Sequence, residues 1–166
     1  MDDDETLTAY HESGHAVIAY ALGGHIASMQ LGGEADDWLP QRFGDCRIAW
    51  GRVDPNLDWQ IQREVLAILA GPVAEMAYRS EPLHPAHYGP WQHDWQQAWT
   101  IGQKLVSDQQ LRTRMLEELV RRLHRVVESE PCWAAIAALA DELAAHEYLE
   151  ADQIEDVIGF WFRNGS

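Results

Sequence analysis

The sequence predicts a single domain, residues 1–166, that is mainly α-helical and contains a small antiparallel β-sheet. Three observations support this fold class. Apolar residues recur every three or four positions over most of the chain, as in amphipathic helices. Residues 25–31 and 46–50 instead alternate apolar and polar side chains, as half-buried strands do. The length of 166 residues suits one domain with a full hydrophobic core.

The first predicted helix lies between the acidic residues 2–5 and the glycines at 23–24. Acidic side chains suit the positive end of a helix dipole, and glycine often ends a helix. The apolar face would also carry two histidines, because inward positions recur at steps of three or four. This predicted inward stripe consists of Leu7, His11, His15, Ile18 and Leu22.

The His11-Glu12-x-x-His15 motif on this helix carries the candidate chemistry. Histidines four residues apart share one helix face and can bind one metal ion, and imidazole is a common zinc ligand. Glu12 follows the first histidine, where its carboxylate can take a proton from a water molecule at the open position of a catalytic zinc. The alternative is a pair of core histidines bonded to backbone carbonyls. We disfavour it because two buried imidazoles are costly without a shared partner.

Residues 25–53 are expected to form the sheet. The two alternating segments would pair antiparallel across the long polar connection at residues 34–45, with an edge strand beside the first helix. The alternative for this region is an irregular loop. A helix is predicted at residues 56–79, with a break or kink at Gly71-Pro72, because an interior proline removes a hydrogen bond and clashes with the preceding turn.

The remainder is predicted as a loop at 81–90 followed by helices at 91–107, 108–128, 131–146 and 150–162. The loop histidines are read as solvated rather than metal-binding. Three tryptophans at helical spacing indicate a core or interface stripe, and they are Trp91, Trp95 and Trp99. The inward residues expected for the helix at 108–128 are Leu111, Met115, Leu119, Leu123 and Val126.

Charge and composition restrict the function. The net charge of −15 argues against nucleic acid and anionic membrane surfaces as partners. No apolar run approaches the roughly 20 residues of a membrane span, and no signal peptide is visible. Cys46 and Cys132 form no CxxC pair and are expected to be reduced, buried thiols of a cytoplasmic protein.

Four stretches resemble, in order, the peptidase domain of the FtsH-type AAA zinc proteases. Residues 9–16, Ala-Tyr-His-Glu-Ser-Gly-His-Ala, closely resemble the zinc motif of that family, which usually has alanine at the position of Ser13. Residues 69–75, Leu-Ala-Gly-Pro-Val-Ala-Glu, resemble its Leu-Gly-Gly-Arg-Ala-Ala-Glu. Residues 93–98 resemble its Asn-Asp-x-x-x-Ala, and residues 139–154 are similar to its closing helices. The resemblance covers essentially the whole chain.

This resemblance implies a zincin-like fold and zinc-dependent hydrolysis of peptide bonds in peptides or unfolded segments. His11, His15 and a distant aspartate that maps onto Asp94 would bind Zn²⁺, with Glu12 as the general base. Zinc chemistry also requires a third ligand, since a catalytic zinc takes three protein ligands and water. An aspartate near a helix start can instead be a simple cap.

The rivals for the third ligand are Glu75, His93 and His87. Glu75 fits better behind a histidine, where its carboxylate would accept the free ring N–H. Residues 90–93, Pro-Trp-Gln-His, replace small residues of the family, so bulky rings near the ligand are expected to alter the shape of the cleft.

The ATPase module and membrane segments of the family have no counterpart in this sequence. We therefore expect hydrolysis without ATP, with a homo-oligomer or a separate ATPase as candidate partners. A peptide substrate would lie along an edge strand by backbone hydrogen bonds. The alternative function is a non-catalytic binding or regulatory module that uses the eight tryptophans as a partner surface. Glu12 favours the enzyme, because a binding module has no chemical need for it.

Overall fold

The computed structural model describes residues 3–32, 44–81 and 83–164, which form a mainly helical fold with a small sheet, as predicted. The helices in these ranges are α1 (Asp3–Ala21), α2 (Asp58–Arg79), α3 (Gln92–Gly102), α4 (Gln109–Val127), α5 (Glu130–His146) and α6 (Ala151–Asn164). The strands are β1 (His25–Leu31), β2 (Gly44–Ala49) and β3 (Tyr148–Glu150). A short 3-10 helix, Gly89–Trp91, leads into α3. No described helix has the length and apolar character that a membrane span requires.

Helices α1 and α2 pack against each other at the centre of the fold. Small apolar residues such as Ala16 and Val17 of α1 are completely buried there. The two backbones can approach closely because Gly14 has no side chain. A Cβ at Gly14 would lie 2.5 Å from both the carbonyl oxygen of Ala70 and the Cβ of Ala74. This contact brings the histidine face of α1 directly onto α2.

Of the break or kink predicted at Gly71-Pro72, the break is wrong, because α2 continues through both residues to Arg79. A proline in a helix interior costs about 3 kcal/mol or more. Tertiary packing outweighs that cost here, since residues 69–76 are all buried, and packing of a buried face supplies most helical stability in proteins. The helix ends at Arg79, and its C-cap residue Ser80 adopts the left-handed conformation with φ 56°.

The sheet has the strand order β2-β1-β3, and both pairs are antiparallel. Within the described residues β2 pairs with β1 alone and packs beside α1, which agrees with the predicted edge strand. Strand β3 was not predicted, because three residues are too few to show an alternating pattern. The predicted connection at residues 34–45 lies mostly outside the described residues.

The tryptophan stripe of the 3-10 helix and α3 packs into the protein, as predicted. Trp91 is completely buried and Trp95 nearly so, whereas Trp99 is half-buried beneath the guanidinium group of Arg112. The helix ends at Gly102, earlier than the predicted residue 107. Because the bulky rings are packed away in the core, the other side of α3 is free to line a cleft.

The inward face of α4 differs from the prediction. Leu111 and Val126 were expected to be buried, but they are 54% and 50% exposed. Arg112 is buried instead, because its guanidinium group donates to the carbonyl oxygens of Val106 and Ser107 at 2.9 and 2.8 Å. The buried residues of α4 are Arg112, Leu116, Leu123 and Val127.

Candidate metal centre

Two histidines and an aspartate converge at a cleft of about 720 Å³ between α1, α2, α3 and β2. His11 and His15 lie one turn apart on α1 with ring centroids 4.8 Å apart. The Nε2 atom of His11 is 2.7 Å from Oδ2 of Asp94, and Nε2 of His15 is 3.7 Å from Oδ1. Glu12 is buried beside them, and one ligand atom each of His11, Glu12 and His15 lie within 4.8 Å of one another.

Asp94 does not act as a simple helix cap. It lies in the first turn of α3, but its carboxylate hydrogen-bonds with His11, which is 83 positions away in the sequence. Of the rival histidines, His93 lines the same cleft but is exposed, with no described hydrogen bond to His11 or His15, and His87 is not among the described lining residues. Tertiary packing of α3 on α2 therefore places Asp94, rather than a rival, opposite both imidazoles.

A second hydrogen bond fixes each imidazole from behind. The Nδ1 atom of His11 lies 2.9 Å from Oε2 of Glu75, and Nδ1 of His15 lies 2.7 Å from the carbonyl oxygen of Ala67. Because both partners are acceptors, each Nδ1 donates to its partner and each Nε2 is directed towards Asp94, whose Oδ2 accepts a further hydrogen bond from Nε2 of His11. Metal-binding histidines are usually held in this way. Glu75 thus lies behind a histidine, as expected.

Trp91 extends this buried network. Its indole Nε1–H donates to the same Oε2 of Glu75 at 2.6 Å, and both side chains are completely buried. Of the bulky rings expected near the ligand, His93 lines the cleft, whereas Trp91 lies beneath the site and is not among its described lining residues. The indole N–H therefore helps to hold the carboxylate that orients His11.

Gly71 makes room for the two imidazoles. A Cβ at this position would lie 2.4 Å from Cε1 and Nε2 of His15 and 2.8 Å from Nε2 of His11. Real Cβ atoms do not approach other atoms so closely, so any side chain here would displace both rings. The histidines can lie against α2 only because residue 71 is glycine.

The ionisable groups of the site shift one another's pKa values. Burial alone would lower the pKa of His11, but hydrogen bonds to Asp94 and Glu75 outweigh it and raise the pKa to about 10. Burial would raise the pKa of Asp94, yet the neighbouring His15 and His11 lower it below its usual value. A divalent cation would compete with the His11 proton, so its binding should strengthen as the pH rises towards 10.

The donor set fits zinc. Two imidazole nitrogens and one carboxylate oxygen are typical protein ligands of a catalytic zinc, which keeps a further position for water or substrate. His84 and His87, read as solvated, lie apart from these donors. His84 instead hydrogen-bonds with Glu117 at 3.0 Å.

The structure brings the four predicted site residues to one point of the cleft. Sequence reasoning missed two supporting residues, Gly71 and Trp91. A glycine within a helical pattern could have indicated the close approach at Gly71. No feature of the sequence indicated that Trp91 donates to Glu75 on another helix. No protein-family model matches the chain, and no curated protein matches it significantly. The geometry of the site therefore carries the functional argument.

Proposed function

We propose that the chain is a zinc-dependent endopeptidase that hydrolyses peptide bonds in peptides or unfolded segments. The convergence of His11, His15 and Asp94 beside the buried carboxylate of Glu12 carries this proposal. The two Nε2 atoms and the aspartate carboxylate would bind the metal ion. When bound, zinc supplies a Lewis acid that polarises a carbonyl group and makes a water molecule more acidic.

Glu12 is the residue placed to move protons. It is buried between α1 and β2, so closely that a Cβ at Gly44 would lie 2.8 Å from its Cγ. Burial raises its pKa, although His15 and His11 oppose the shift, and a carboxylate of higher pKa is a better base. Glu12 would accept a proton from the attacking water and then donate it to the nitrogen of the leaving amine. This second transfer restores the carboxylate for the next cycle.

Strand β2 is suited to hold an extended peptide. Gly44, Asp45, Cys46 and Ile48 of this edge strand line one wall of the cleft, and α3 lines the opposite wall. A peptide that pairs with a sheet edge is held by its backbone, so the site would accept many sequences. Folded proteins cannot present an extended segment in this way. The substrate class would therefore be peptides and unfolded segments.

The proposal is tested by measuring zinc content and hydrolysis on the same sample. The chain purified without chelator should carry about one zinc ion and degrade casein or unstructured peptides. A zinc chelator should abolish the hydrolysis, added zinc should restore it, and folded proteins should resist cleavage. A zinc-loaded chain that cleaves nothing in a broad library of unfolded peptides would favour the non-catalytic binding module.

Asp94→Asn should lower zinc affinity by about tenfold or more, because the substitution keeps the size of the side chain but removes the negative charge that faces both histidines. The affinity is measured by competition with a chromophoric chelator. Asp58→Asn is a matched control, since Asp58 also lies in the first turn of a helix but is exposed and not among the described lining residues. Unchanged affinity in Asp94→Asn would move the third ligand to Glu75 or a histidine.

Trp91→Phe should lower zinc affinity by about tenfold, the low end of the range for partners that orient metal ligands. The variant keeps an aromatic ring but removes the indole N–H that donates to Glu75. Trp95→Phe is the control, since Trp95 is also buried in this segment but its indole has no hydrogen-bond partner among the described residues. If both variants lose equal affinity in a chelator competition, ring volume matters and the hydrogen bond does not.

A further inference from the structure

We propose that one end of the cleft binds a lysine or arginine side chain of the substrate, with Glu64 as the partner of the cation. This inference rests on the proposed peptidase function and adds the substrate class. It concerns the part of the cleft lined by Ile48, Trp50, Glu64, Ile68 and Ile101, named here the Glu64 pocket.

The Glu64 pocket lies within reach of a residue next to the cleaved bond. Glu64 and Ile68 lie one turn apart on the face of α2 that lines the cleft. Gly71, against which both imidazoles pack, lies further along the same helix. At 1.5 Å per helical residue, Glu64 is about 10 Å from Gly71 along the axis. Since an extended peptide advances about 3.3 Å per residue, a long side chain one or two positions from the cleaved bond can reach Glu64.

The walls of the Glu64 pocket are apolar. Ile48 and Trp50 line it from the β2 side, Ile68 from α2 and Ile101 from α3, and all four are half-buried. Lysine and arginine bury their aliphatic stems along apolar surface while the charged end stays at a polar group. A carboxylate among apolar lining residues therefore suits these two side chains better than an acidic or a short polar one.

Glu64 has no cationic partner among the residues that the structure describes. The neighbouring Arg63 points elsewhere, because its guanidinium group lies 4.8 and 4.5 Å from the ring centroids of Trp50 and Trp59. The same group donates to the carbonyl oxygen of Leu22 at 2.9 Å. Arg63 thus supports the Trp50 wall of the pocket and leaves the Glu64 carboxylate to a ligand.

The cleft as a whole also has several acidic lining residues. Its described lining residues include no lysine or arginine but contain four carboxylates. Glu12 and Asp94 belong to the proposed chemistry, and Asp45 accepts a hydrogen bond from Arg47 at 3.1 Å. Glu64 is the acidic lining residue that remains for substrate selection. An acidic side chain in this pocket would meet like charge.

The test uses quenched fluorescent peptides that differ at one residue near the cleaved bond. Cleavage sites mapped in casein by mass spectrometry should first show lysine or arginine within two positions of the bond. In matched peptides, lysine should give about tenfold higher kcat/KM than norleucine, as expected for a charge-assisted hydrogen bond. Glu64→Gln should abolish this preference, and Glu64→Lys should favour a glutamate peptide. Glu130→Gln, an exposed glutamate not among the described lining residues, should keep the preference.

A second readout does not need hydrolysis. Fluorescence anisotropy measures the binding of the same peptides to the zinc-loaded Glu12→Gln variant. The lysine peptide should again bind more tightly, and adding Glu64→Gln should remove the difference. Equal cleavage and binding of lysine and norleucine peptides, or a preference that survives Glu64→Gln, would overturn the inference and leave the peptidase proposal intact. A zinc-loaded chain that neither binds nor cleaves any peptide would overturn both.

Discussion

Glu12→Gln should reduce the hydrolysis of an unstructured peptide by about two to four orders of magnitude, the usual size of general acid–base catalysis. Glutamine has nearly the same shape as glutamate, but its amide cannot accept the proton of the attacking water. Glu12 is buried beside the histidines without being one of the proposed ligands, so zinc content and thermal stability should stay close to wild type. The measurements are kcat/KM, the zinc-to-protein ratio and a thermal melt.

Glu5→Gln is the matched control, because Glu5 is an exposed glutamate on the same helix. It should behave as wild type in all three measurements. Wild-type hydrolysis in Glu12→Gln would rule out Glu12 as the base. If the wild type and Glu12→Gln are equally inert with zinc bound, the binding module is the better interpretation. Its partner surface would then lie away from Trp91 and Trp95, which are buried.

The sequence could predict the part of the site that lies on a single helix. His11, Glu12 and His15 belong to one helix, and helix geometry alone places residues four apart on one face. Asp94 is different, because its approach depends on how α3 packs against α2. From the residues alone Asp94 was one of several candidates, and the family resemblance was needed to favour it. Glu75 could be placed behind a histidine by general metal chemistry, but not assigned to His11.

The errors in the predicted fold have a common cause. The apolar residues of α4 are spaced so that either of two adjacent faces could be buried, and local spacing does not decide between them. The structure buries Arg112 and leaves Leu111 exposed. The guanidinium group of Arg112 hydrogen-bonds with neighbouring carbonyl oxygens and lies over the ring of Trp99. At Gly71-Pro72, a local rule predicted a break, but the burial of the segment outweighed it. Such outcomes depend on partners from distant parts of the chain.

Gly71→Ala should lower peptidase activity about hundredfold, because a displacement of roughly 1 Å in a catalytic group can cost that much. The new Cβ would lie 2.4 Å from the ring of His15 and 2.8 Å from Nε2 of His11, so both imidazoles must move. The hydrogen bond from His15 to the carbonyl oxygen of Ala67 would be strained by this movement. Zinc affinity, measured by chelator competition, should fall as well.

The thermal stability of Gly71→Ala should change much less than its peptidase activity and zinc affinity. Alanine is favoured over glycine in a helix interior by about 1 kcal/mol, whereas overpacking costs about 1–3 kcal/mol, so the net loss of stability should not exceed about 2 kcal/mol. Gly159→Ala is the matched control, because Gly159 is also inside a helix and the atoms nearest to its added Cβ belong to the exposed, flexible side chain of Arg163. It should keep zinc affinity and activity. Normal zinc binding in Gly71→Ala would mean that the imidazoles can move without losing the metal. Zinc binding would then not depend on the close approach of α2 to the two histidines.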